Sequence, residues 1–118
     1  MAVLGKMERD GLIAGDFPTK VEAITVTGPA EFQRGDVIAK TGNESYTLVD
    51  SAGSGGAELV VGIICDDITV EDGSTAVTNM YIKGEFAQRH LRFGGDDTVE
   101  NHRRRMTEIG LIIRETRV

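Results

Sequence analysis

The chain has 118 residues and a formal net charge of −6, with 13 Lys and Arg against 19 Asp and Glu. This length suits one domain, and the acidic balance argues against binding nucleic acid through its phosphates. Aromatic residues make up only 5% of the chain and tryptophan is absent. We therefore expect a thin core that self-association would help to stabilise.

The lengths of the apolar segments and the single cysteine indicate the cellular compartment of the protein. No apolar stretch at the start is long enough for a signal peptide, and no segment approaches the ~20 apolar residues of a membrane span. Cys65 is the single cysteine, so no internal disulfide can form, and its apolar surroundings predict a small buried side chain. We expect a protein that is synthesised in the cytoplasm and used in soluble form.

The first segment, residues 1–20, shows neither the helical nor the strand period in its apolar residues. Glycines and a proline interrupt it, and we predict an extended N-terminal arm followed by a β-rich domain over residues 21–118. Disordered tails are usually polar, so the apolar residues of this arm indicate that it docks on a partner. The candidate contact residues are Val3, Leu4, Met7, Leu12, Ile13, Phe17 and Pro18.

From residue 21 onward the sequence predicts short strands separated by turns. Alternating or continuous apolar runs bounded by Gly, Asn and Asp support them. The continuous run at 59–65 is typical of a strand that is buried on both faces. No β–α–β alternation is evident, which argues against a doubly wound parallel sheet. The predicted strands lie near residues 24–27, 37–40, 45–49, 59–65, 75–83 and 111–118.

One helix is predicted near residues 98–109. Asp97 is a candidate N-cap with Glu100 three residues later, which is the spacing of a capping box. Gly110 is the expected residue beyond its end. The helix carries the run Arg103, Arg104 and Arg105. A solvated helix face is one interpretation of this run, and contact with an acidic protein surface is the other.

The residues show no catalytic constellation with specific spacing. His90 and His102 stand without a Cys or carboxylate at metal-ligand spacing, and we expect surface or structural roles for both. Asp66 and Asp67 are better explained as a solvated turn than as a cation site. We predict a protein that is not an enzyme and that has no cofactor or catalytic metal.

Several segments, taken in order, resemble the lambda-type bacteriophage head decoration proteins. Each segment alone is common in β-strands, so the resemblance rests on the order and spacing of all the segments. The similar segments are residues 12–18, 32–38 with the run Arg-Gly-Asp-Val-Ile, 57–64, 77–86, and the helix with 110–113.

This resemblance implies a β-clip-like small domain that is mainly β with one or two short helices, plus the extended N-terminal arm. It implies a homotrimer that binds three-fold and quasi-three-fold sites on the outside of an expanded capsid and stabilises it. The arm would add a strand to the major capsid protein of the phage head. No cofactor, catalysis, nucleic acid or membrane is implied.

Two other functions remain open on the residues. One is another virion protein, such as a tail or fibre adaptor. The other is a small trimeric β nucleotide-binding enzyme, although its expected Asp, Tyr and Gly-rich phosphate contacts are not evident. Nucleotide binding would favour the enzyme, and presence in tails but not in heads would favour the adaptor.

Overall fold

A computed structural model describes residues 11–14 and 18–115 of the chain, and these residues form a mostly antiparallel β structure with one α-helix. This confirms the predicted fold class at that level. The elements are β1 Lys20–Thr27, β2 Ala30–Phe32, β3 Val37–Gly42, β4 Ser45–Leu48, β5 Val60–Ile64, β6 Ile68–Val70, β7 Thr75–Ala87, a 3-10 turn at Gln88–His90, α1 Val99–Ile109 and β8 Leu111–Arg114.

The main sheet follows the order β1-β7-β5-β3-β4, and all of these neighbours are antiparallel. Its two outer strands approach each other at one corner. There the backbone N–H of Thr27 donates to the carbonyl of Glu44 at 2.8 Å. The sheet is therefore strongly curled.

Strand β7 is long enough to take part in two pairings. Its first part pairs with β1, and its last residues, Gly84 to Ala87, pair in parallel with β8. Helix α1 lies between β7 and β8 in the chain, so these elements form one β–α–β unit. The sequence analysis argued against a doubly wound parallel sheet, and this is confirmed because the described residues form a mostly antiparallel structure.

Two apolar cores occupy the two faces of the main sheet. On one face, Ile24 and Val26 of β1 pack with Phe32 of β2 and Val70 of β6. The sequence analysis missed β2 and β6, since strands of three residues are too short to show a period. On the other face, Val99 and Met106 of α1 pack over the sheet residues.

Helix α1 begins one residue later than the predicted cap. Thr98 is the N-cap, and its backbone N–H donates to Asn101 Oδ1 at 2.8 Å. The Asp97–Glu100 capping box was therefore wrong, because the Asp97 carboxylate is held by other partners. Gly110 ends the helix in the left-handed region at φ 100°, as predicted.

Candidate functional site

Part of the predicted arm packs against the domain. Ile13 lies opposite Phe86 of β7 in an antiparallel bridge. Ala87 donates its N–H to the Leu12 carbonyl at 2.7 Å, and Ala14 donates to the Glu85 carbonyl at 2.9 Å. Residues 12–14 thus act as a short extra strand beside the end of β7.

Leu12 is the side chain that fixes this segment. It is 1% exposed and belongs to the core under helix α1, whereas Pro18 is exposed. Ile13 is partly buried against the same core. The side chain of Leu12 therefore packs in the core of its own domain. The other candidate contact residues of the arm, Val3, Leu4, Met7 and Phe17, lie outside the described residues.

A buried ion pair lies below this anchored segment. Arg92 donates from Nε to Asp36 Oδ1 at 2.6 Å and from Nη2 to Asp36 Oδ2 at 2.8 Å. The Asp36 side chain is completely buried, while that of Arg92 is 49% exposed. The Gln33 N–H also donates to Asp36 Oδ2 at 2.8 Å. A bidentate guanidinium with one further donor satisfies a carboxylate that burial would otherwise penalise.

The Gly35 position explains why this motif begins with glycine. Gly35 has φ 99°, and a Cβ built on it would lie 2.3 Å from the backbone oxygen of His90. The chain near His90 and Arg92 can approach β3 only because a side chain is missing there. Sequence reasoning placed Gly35 and Asp36 in the family-like segment at residues 32–38, just before the strand predicted near residues 37–40. It missed the pairing with Arg92, since that partner is 56 positions away.

The basic run does not form one patch in the structure. Arg105 donates from Nε and Nη2 to the carbonyl of Val60, at 3.2 and 3.1 Å, and so ties the helix to β5. Arg103 donates from Nη2 to Glu100 at 2.9 Å. Arg104 is 93% exposed, and its Nε lies 3.4 Å from Glu108 Oε2. Successive helix residues turn by about 100°, so three adjacent arginines point in different directions.

His102 has a structural position at the start of the helix. It is buried, its ring stacks on Phe93, and Nε2 lies 2.5 Å from Asp97 Oδ2. Ser51 donates to the same carboxylate, from its backbone N–H at 2.6 Å and from Oγ at 2.7 Å. Partial burial raises the pKa of Asp97, but the hydrogen bonds from Ser51 and His102 outweigh it and hold that pKa below its ordinary value. The group joins the loop at Ser51 to the helix.

The other groups considered from the sequence also have local structural roles. Asp67 accepts the backbone N–H of Arg34 at 2.8 Å, so this acid is part of a loop contact. Cys65 is buried, and burial raises the pKa of its thiol to about 12. Across residues 11–14 and 18–115, no group of three or more His, Cys, Asp or Glu side chains is arranged to hold a metal ion. None of the helices in that part of the chain is long and apolar enough to span a membrane.

Comparison with known proteins identifies the family. The family model of bacteriophage lambda head decoration protein D matches residues 4–108, which is most of the chain. A search of curated proteins found no match to this chain. The matched region includes the anchored segment, the Gly35-Asp36 motif and nearly all of helix α1. The chain therefore belongs to the lambda head decoration protein D family and is a structural protein of the phage capsid.

Proposed function

We propose that this protein forms a homotrimer on the outside of the expanded phage head and stabilises the shell by binding the major capsid protein. The trimer sits at three-fold and quasi-three-fold sites, and the segment before Gly11 adds a strand to a capsid subunit. The observation that carries this proposal is the family match over residues 4–108.

The anchored segment supports the role of the arm. Because residues 12–14 are fixed on β7 by the two backbone hydrogen bonds and by the buried Leu12, the ten residues before Gly11 start from a defined point on the domain. Ten extended residues reach roughly 33 Å at about 3.3 Å per residue. Val3, Leu4 and Met7 supply apolar contacts, and the backbone of the added strand supplies hydrogen bonds.

Because a trimer has three arms, each arm can bind the capsid weakly while the trimer as a whole binds tightly. Each arm loses conformational entropy when it becomes ordered on the capsid, which lowers its own affinity. Once one arm has bound, the other two are held near their sites at a high effective concentration. A three-fold site then takes the same contact three times.

The test is a deletion that respects the anchored segment. Removing residues 2–10 leaves Leu12 in the core, whereas a deletion to residue 18 would also remove a buried leucine and confuse binding with folding. Purified full-length and shortened proteins are mixed with expanded, undecorated heads. Co-sedimentation then measures binding, and electron cryomicroscopy images the heads.

We expect the full chain to form trimeric knobs at the three-fold positions, with the arm paired to a capsid strand. The shortened protein should keep its circular dichroism spectrum and oligomeric mass but lose at least about tenfold in affinity, because the strand pairing is gone. A shortened protein that decorates heads with full affinity would contradict the role of the arm. Bare heads at saturating full-length protein, with the cognate capsid, would contradict the function.

A further inference from the structure

His90, the last residue of the 3-10 turn, carries an unpaired polar atom. Within residues 11–14 and 18–115, its Nε2 is the one buried side-chain nitrogen or oxygen that has no hydrogen-bond partner. The other histidine, His102, is also buried, but its Nε2 contacts the Asp97 carboxylate. Burying a polar atom without a partner costs free energy, so an atom of this kind indicates a functional role.

This atom lies at the point where the arm leaves the domain. A Cβ built on Gly11 would be 3.2 Å from His90 Nε2, and its next neighbours would be His90 Cδ2 at 3.7 Å and Arg89 Nη2 at 3.9 Å. Gly11 also has φ 80°, a left-handed backbone that glycine adopts readily. The backbone at Gly11 can therefore pass close to the imidazole ring because this residue has no side chain.

The position of His90 is fixed by the domain. A Cβ on Gly35 would lie 2.3 Å from the His90 carbonyl oxygen, so the two segments are in close contact. The N–H of Leu91 donates to the Gln88 carbonyl at 3.2 Å, and the N–H of Arg92 donates to the Gly35 carbonyl at 3.2 Å. A hydrogen-bonding atom that is held on a rigid element is preorganised to receive a partner.

The pairing of residues 12–14 with β7 ends beside this atom. The last residue of β7, Ala87, donates to the Leu12 carbonyl, and the chain then enters the 3-10 turn. Strand β7 therefore offers no further residue to the backbone groups that precede Leu12, and those groups need partners when the arm becomes ordered. Apart from chain neighbours, His90 Nε2 is the described atom nearest to the Cβ position of Gly11.

We propose that His90 is a positioning residue for the arm: its Nε2 hydrogen-bonds to the arm backbone at residues 9–11 when the arm is ordered on the capsid. This inference rests on the proposed function. In a neutral ring Nε2 either donates to a carbonyl or accepts from an N–H, and the backbone offers both. A bond at the exit sets the direction in which the arm leaves the domain, and this lowers the entropy cost of its ordering.

The experiment removes the polar atom and measures head binding and stability separately. H90L replaces the ring by an apolar side chain, whereas H90Q keeps a donor and an acceptor at the end of the side chain. H102L is the matched control, because it makes the same change at a histidine whose Nε2 has a partner. H90L is also made in the protein that lacks residues 2–10. Co-sedimentation with expanded heads gives the dissociation constant, and urea denaturation gives the stability.

We expect H90L to keep or raise the urea midpoint, because it removes an atom that lacks a partner, while its dissociation constant for heads rises at least about fivefold. H90Q should restore binding to within about twofold of the unmodified protein. H102L should lower the urea midpoint but leave the head binding of the folded protein within about twofold. If H90L does not fold, H90M, with a flexible apolar side chain, takes its place.

The shortened protein identifies the partner of Nε2. H90L should not weaken the binding of the protein that lacks residues 2–10, because no arm remains to be positioned. An equal loss in both lengths would overturn the inference, since the partner would then be a group of the capsid. Binding of full strength by H90L in the complete chain would overturn it as well.

These outcomes are separate from the test of the proposed function. Bare heads with the unmodified protein would contradict the capsid role, and this inference with it. Decorated heads, with equal affinities for the unmodified protein and H90L, would overturn the role of His90 and leave the capsid role standing.

Discussion

Arg92 and Asp36 form a bidentate pair in which the carboxylate is completely buried and the guanidinium is half exposed. The pair joins the start of β3 to the segment that follows the 3-10 turn. In the same place the N–H of Val37 donates to the Arg92 carbonyl at 3.0 Å. The two halves of the chain are thus held together at the point where residues 11–14 also dock.

The first prediction concerns this pair. R92A removes both guanidinium hydrogen bonds from the buried Asp36 carboxylate and leaves it the N–H of Gln33, so we expect the free energy of unfolding to fall by about 2–4 kcal/mol. R114A is the control, because Arg114 is 57% exposed and lies 3.8 Å from Glu85; it should cost less than about 1 kcal/mol. Urea denaturation measures both. Equal losses in the two variants would mean that burial of Asp36 adds nothing.

The second prediction concerns acid sensitivity at Asp97, whose pKa is lowered in the folded protein. A carboxyl of this kind stabilises the fold above its unfolded pKa, about 3.9, and loses this contribution as the pH falls through its folded pKa. We expect D97N to cost about 1–2 kcal/mol at neutral pH, since it weakens the hydrogen bonds from Ser51 and His102. The difference from the unmodified protein should shrink below about pH 4.

Denaturant unfolding from pH 3 to pH 7 checks this, with D72N as the control because Asp72 is an exposed turn residue. D72N should change stability by less than about 0.5 kcal/mol at any pH. A D97N penalty that stays constant down to pH 3 would be inconsistent with a lowered pKa of Asp97.

The third prediction concerns Cys65. Burial, with a smaller contribution from Asp66, raises the pKa of its thiol from 9.0 to about 12. At about pH 8 the thiolate fraction is then about a thousandfold lower than for an ordinary thiol. We expect reaction with a disulfide reagent to be at least that much slower in the native protein than in guanidinium chloride. Rapid reaction of the native protein would show that Cys65 is accessible.

The strands and the helix could be predicted from the sequence where burial of one side of the element sets the spacing of its apolar residues. Ile24 and Val26 alternate with threonines because one side of β1 is buried. Gly110 could be predicted as the end of the helix because the backbone there is left-handed, a conformation that glycine adopts readily. The cap was placed one residue early because Asp97 and Thr98 are both good N-caps. Tertiary contacts with Ser51 and His102 decide between them.

The candidate site was less predictable, because it depends on residues that are distant in the chain. The apolar character of Leu12 is evident from the sequence. Both a core contact and a capsid contact call for an apolar side chain, so the sequence does not distinguish them. The run of three arginines is visible as charge, yet the attachment of Arg105 to the Val60 carbonyl depends on how the helix lies on β5. A single sequence carries no signal for either contact.

The fourth prediction concerns a close approach between strands β5 and β7. A Cβ at Gly62 would lie 2.5 Å from Met80 Sδ and 2.9 Å from the backbone oxygen of Tyr81. We expect G62A to lower the free energy of unfolding by about 1–3 kcal/mol, because the packed strands must move apart. G42A is the matched control, since its new Cβ would meet only Ser45 Cβ at 3.5 Å. Similar stability of the two variants would contradict the close approach.

The last prediction joins the fold to capsid binding through Leu12. L12A leaves a cavity in the core beside helix α1, so we expect a loss of about 2–4 kcal/mol in the free energy of unfolding. L59A removes the same atoms from a leucine that is 46% exposed, and should cost less than about 1 kcal/mol.

Under conditions where both variants are fully folded, L12A should also bind expanded heads more weakly than L59A. Loss of the Leu12 contact loosens the segment at residues 12–14, and the arm then starts from a variable position, which raises the entropy cost of its ordering on the capsid. Co-sedimentation with heads measures the ratio. Equal head binding by folded L12A and L59A would mean that the anchored segment stabilises the domain without positioning the arm.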